Sequence, residues 1–80
     1  MVTIRMEKEF KLRENAEFLT ISQLLKMEGI AYSGGMVRSF LEENEVFVNG
    51  EIELRRGRKL YPNDVIIIDD ITIKIVGAYY

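Results

Sequence analysis

Apolar and polar residues alternate from residue 2 to residue 12. Val2, Ile4, Met6, Phe10 and Leu12 stand against Thr3, Arg5, Glu7, Glu9 and Lys11, and Lys8 breaks the order where an apolar residue is expected. A period of two predicts a half-buried β-strand. The period then changes. Thr20-Ile21-Ser22-Gln23 places a hydroxyl three residues before a glutamine, the capping-box arrangement, ahead of apolar Leu24, Leu25 and Met27 and a stop at Gly29. This predicts a short helix over 20–28. A second helix, over 33–44, opens at Ser33, and the i, i+1, i+4, i+5 spacing of Met36, Val37, Phe40 and Leu41 gives it one apolar stripe.

The rest of the chain reads as β. Val46-Phe47-Val48 and Ile52-Glu53-Leu54 flank Asn49-Gly50, a pair that accepts the positive φ angles of a tight hairpin turn. In Tyr61-Pro62-Asn63-Asp64 the proline holds the second position, which suits a type I turn. Strands over 65–69 and 71–76 follow, with Ile71, Ile73 and Ile75 facing one way and Thr72 and Lys74 the other. The order β-α-α-β-β-β-β predicts an α+β fold, with two short helices on one face of a small, mainly antiparallel sheet that includes the N-terminal strand. Leu24, Leu25, Met36, Phe40, Leu41, Val46, Val48, Ile66 and Ile68 are the expected core.

Composition narrows what such a fold can do. Eighty residues make one domain, 1–80, and the absence of both Cys and His removes thiolate and imidazole chemistry, whether catalytic or metal-binding. No nucleophile with a neighbouring base is visible, so the expectation is a binding module and not an enzyme. Val65 to Ile68 is the longest apolar run, far short of the roughly 18 residues of a membrane span, and no leader pattern precedes it; the chain reads as cytoplasmic. Net charge is −2, yet all the excess positive charge lies in residues 55–63, which sum to +4, while residues 20–54 sum to −4. Arg55, Arg56, Arg58 and Lys59 therefore form either a solvated loop or an anion-binding edge.

Four ordered blocks, Leu24-Leu25-Lys26, Ser33 with Arg38 five residues on, Glu45 to Gly50, and Pro62-Asn63-Asp64-Val65-Ile66, span 48 of the 80 residues between Ile21 and Ile68. In them the chain resembles the αL RNA-binding motif, the S4-type domain, with a motif core of about 20–69. Asn63 stands where the family usually has Gly. Ser33-Gly34-Gly35 replaces the common Ser-Arg, removing a phosphate-contacting arginine, and with the basic loop it is similar to the small stand-alone YaaA- and YbcJ-like members. The resemblance implies non-catalytic binding of structured RNA, ribosomal RNA or ribosomal particles, with no cofactor. It also implies that the basic loop lines a groove beside the second helix and that Arg38 contributes to it.

Physical chemistry assigns the candidate roles. Ser33, Gly34 and Gly35 can cap the helix, and can also offer a hydroxyl and two close-approach amides to a phosphate. Guanidinium forks on Arg55, Arg56 and Arg58, with Lys59, suit phosphate oxygens. Lys26 is the cation of the first helix. Asn49 fits turn chemistry first and a contact at a hairpin tip second. Tyr32 and Tyr61 suit either base stacking or packing on the domain edge. Glu42-Glu43 with Glu45, and Asp69-Asp70, lack metal-ligand spacing. A protein-interaction module working through a sheet edge or an apolar patch is the alternative.

Overall fold

Both helices of the computed structural model, which describes residues 6–77, start and stop where their capping residues place them. Helix α1, Ile21–Met27, opens on Thr20, whose hydroxyl accepts the Gln23 N–H at 3.2 Å while Gln23 Oε1 accepts the Thr20 N–H at 2.8 Å. It closes on Gly29, at φ +74°, with the Gly29 N–H donating to the Lys26 carbonyl and the Ile30 N–H to the Leu25 carbonyl. That pair of bonds satisfies the last carbonyls and needs a residue tolerant of positive φ. Helix α2, Gly34–Glu43, begins after Ser33, whose Oγ accepts the Met36 N–H at 3.2 Å, and ends at Asn44, whose backbone and side-chain N–H groups both reach the Phe40 carbonyl.

The strands among the described residues are β1 (Met6–Lys11), β2 (Leu19–Thr20), β3 (Val46–Val48), β4 (Glu51–Ile52), β5 (Lys59–Leu60), β6 (Val65–Ile68) and β7 (Ile71–Val76). Five of them form one sheet in the order β1-β7-β6-β3-β4, antiparallel throughout except that β1 runs parallel to β7. The helices pack against this sheet, so the fold is α+β as expected, with a mixed sheet. Asn49 at φ +52° and Gly50 at φ +87° make the predicted hairpin turn between β3 and β4. Asn63 at φ +79° corrects the type I expectation for Tyr61 to Asp64, because positive φ at the third position belongs to type II. An asparagine tolerates that angle, and so can stand where the family usually has glycine.

Three further differences have physical causes. β2 and β5 pair with each other in a separate two-stranded sheet, and two-residue strands carry no readable period. β1 is an edge strand, so of its residues only Phe10 is half-buried, with Leu12 buried just beyond it; Val2 and Ile4 lie outside the described residues. Lys8, the break in the alternation, donates from Nζ to Glu28 Oε1 at 2.7 Å and so ties β1 to the end of α1.

Leu24, Leu25, Leu41, Val46, Val48, Ile66 and Ile68 are buried as expected, and Phe40 packs half-buried against them. Met36 is a correction. It is 47% exposed, because α2 is turned to centre Val37 and Leu41 on the core and leaves Met36 at the margin of its stripe. Leu60, inside the basic segment, is fully buried opposite Leu19, which anchors that segment with about 2 kcal/mol of apolar burial. No helix among the described residues is long and apolar enough to cross a membrane.

Candidate nucleic-acid interface

The basic segment is built around a buried acid. From the end of β4 burial runs against hydropathy: Ile52 and Leu54 are 54% and 64% exposed, whereas Glu53 between them is 7% exposed. The Glu53 N–H donates to the Val46 carbonyl at 2.8 Å, extending the β3–β4 pairing by one residue. Its carboxylate accepts the Arg55 backbone N–H, Nε and Nη2, each at 3.0 Å, and Arg58 Nη1 at 2.7 Å. Chiefly through the Arg55 side chain, these bonds hold the Glu53 carboxyl at about 2, below the ordinary 4.5, against burial, which acts the other way. The same partnership raises Arg55. Two of the four cations in the segment thus share one negative charge.

The backbone of the segment closes the start of α1. The Ile21 N–H donates to the Arg58 carbonyl at 3.0 Å and the Ser22 N–H to the Arg56 carbonyl at 2.9 Å. Together with the Thr20–Gln23 box, these bonds satisfy the donors of the first turn, and no anion site remains there. Helix α2 begins differently. Ser33 Oγ takes the Met36 N–H, but the N–H groups of Gly34 and Gly35 have no acceptor among the described residues. Arg56 Nη1 lies 3.4 Å from the Gly34 carbonyl, which brings the basic segment to this open end. A Cβ on Gly34 would meet Arg56 Nη1 at 3.2 Å, whereas Gly35 faces open space.

The remaining candidates divide. Lys59 Nζ sits 4.9 Å from the centroid of Phe18, and Tyr61 tilts against the same ring at 5.7 Å. Arg55, Arg58, Lys59 and Tyr61 line a shallow hollow of about 390 Å³. Lys26 lines another, of about 330 Å³, with Phe18, and Arg38 is not part of it. Arg38 is exposed and pairs with Glu42 at 3.5 Å on its own helix. Asn49 is occupied within the fold, its Nδ2 donating to Asp64 Oδ1 at 3.0 Å and its Oδ1 accepting the Val65 N–H at 2.9 Å. Tyr32 is 69% exposed. Among the described residues no three metal-ligating side chains converge.

Sequence reasoning missed Glu53 and Phe18. For Glu53 the signal was present: it is the acid nearest the four cations, two residues before Arg55 and five before Arg58. The apolar neighbours Ile52 and Leu54 masked it by suggesting the opposite face. Phe18 sits in a stretch without a period, and nothing local marks it.

The S4 domain family matches this chain over residues 10–76. The probable ribosome maturation protein RlbA of Bacillus subtilis (strain 168) is 49% identical over 55 residues, which make up 69% of this chain and 78% of that protein.

Proposed function

The chain belongs to the S4 domain family, and from that premise we propose that it binds structured RNA without catalysis, through phosphate contacts, on ribosomal RNA or ribosomal particles. The name of its Bacillus relative, a ribosome maturation protein, supports the ribosomal target. One observation carries the choice of site: the 3.4 Å approach of Arg56 to the Gly34 carbonyl, which sets a free guanidinium edge beside two open amides. Arg56, Lys59 and the Ser33 to Gly35 turn grip phosphates directly. Arg55 and Arg58 add a framed pair that carries one net positive charge with Glu53. Arg38 extends the cationic edge along α2, and Lys26 stands apart on α1. Asn49 holds its turn. An acidic remainder repels RNA elsewhere, so orientation is set by sign and sequence selectivity is low.

A salt series on affinity for a ribosomal RNA fragment tests this. Three to four neutralised phosphates predict a log–log slope of about −3. The double substitution Arg56→Ala with Lys59→Ala should flatten it by about two contacts, to near −1. Affinity that ignores salt, or that survives this change, would favour a protein-interaction module using the exposed Ile52 and Leu54.

A further inference from the structure

The hollow beside α1 is not used by the phosphate grip. Phe10, Ala16, Phe18 and Met27 give it an apolar lining, and Arg13, Gln23 and Lys26 supply its polar positions. None of its lining residues is acidic, although acids outnumber bases in the chain, 13 to 11. At about 330 Å³ it lies at the small end of ligand-sized pockets. Its apolar surface is reachable, since Met27 is 56% exposed and Phe18 only half-buried. Phe18 also joins the hollow to the basic segment, because its ring carries Lys59 Nζ at 4.9 Å. Gln23 Oε1 is committed to the Thr20 N–H at 2.8 Å, which fixes the amide plane. Its Nε2 N–H groups, with no acceptor among the described residues, are left as donors at the hollow.

Resting on the RNA-binding reading above, we infer that this hollow takes one unpaired nucleobase, swung out of the RNA strand whose phosphates lie along Arg56 and Lys59. The base stacks against Phe18 and the Met27 thioether, and its edge accepts from Gln23 Nε2. Arg13 and Lys26 face the phosphates on either side of it. An acid-free rim of cations around an aromatic floor matches an anionic strand with a flat heterocycle, and an apolar protein segment would have no use for those charges.

The test compares two RNA hairpins, one with unpaired loop bases and one made abasic at the same loop positions. The wild-type protein should bind the intact hairpin about tenfold more tightly, with the same salt slope for both, since stacking one base on an aromatic ring is worth about that much. The Met27 methyl resonance should shift with the intact hairpin alone. Phe18→Ala should erase the preference and keep the slope. Because Phe18 also packs against Tyr61, Ala16→Leu, which fills the hollow and removes nothing, is a second variant with the same expected result. Equal affinities together with an unmoved Met27 would overturn the inference, leave the hollow to an apolar protein segment, and leave the phosphate grip standing. Failure of salt-dependent binding to either hairpin would overturn both.

Discussion

The two helices start alike and end up with opposite chemistry at their N-termini. Each opens on a hydroxyl cap, Thr20 for α1 and Ser33 for α2, with the cap oxygen accepting the N–H three residues on. At α1 the carbonyls of Arg56 and Arg58 fill the remaining donors, while at α2 the amides of Gly34 and Gly35 stay open beside Arg56. A cap sequence therefore announces a helix start but not an anion site. What decides is whether another part of the chain has already supplied oxygens, and here a single segment fills one end and leaves its own cation at the other.

The most severe way to break the contrast is to cut the latch that holds this segment. Glu53→Gln should cost about 1–2 kcal/mol at neutral pH by chemical denaturation, less than the full lowering of its carboxyl would suggest, because Arg55, the main source of that lowering, is largely exposed and screened by water. The sign follows from the lowered value: the stabilisation is fully present above pH 4.5 and is lost as pH falls toward 2, so wild type and variant should converge there. Amide exchange at Ile21 and Ser22 should quicken in the variant, as the filled end becomes an open one.

Effects of similar or smaller size come from the caps. Thr20→Ala removes one half of a reciprocal box and should cost about 1–2 kcal/mol, with no effect on RNA affinity beyond that of partial unfolding. Ser33→Ala should cost only about 0.5–1 kcal/mol, yet weaken RNA binding measurably, because it loosens the turn that presents the open amides. Smallest in stability and sharpest in logic is Gly35→Asp. With open space for the new side chain and a carboxylate in a first helical turn, it should raise stability by about 0.5 kcal/mol while lowering RNA affinity. A Gly35→Asp protein that binds RNA as well as wild type would remove α2 from the interface.

What local chemistry determines was legible. Both helices, their caps, the Gly29 stop and the Asn49-Gly50 hairpin lie where the sequence put them, because each depends on residues within a few positions. Partners distant in the chain were not legible. Nothing near Leu19 announces Leu60, nothing near Ile21 announces the Arg58 carbonyl, and the parallel partner of β1 is the distant β7. At the site, the basic segment and the Ser33 to Gly35 turn could be read as separate features, but their meeting through Arg56 could not. Nor could the pairing that commits Arg55 and Arg58 to Glu53, since the apolar residues on either side of Glu53 point to the wrong face.

The pairing of β1 with β7 also imposes an order in time. Met6 lies opposite Ile71 and Lys11 opposite Val76, so β1 has no mate in this sheet until β7, far along the chain, has been made. The β3–β4 and β6–β7 hairpins and the two helices close short loops, whereas the β1–β7 closure joins distant segments and carries a larger entropic cost before its contacts form. While it waits, β1 is a lone strand among other nascent chains. Its Glu7, Lys8, Glu9 and Lys11 make it a poor template for a stranger's edge, so the same charges that leave β1 exposed in the finished fold also protect it during synthesis.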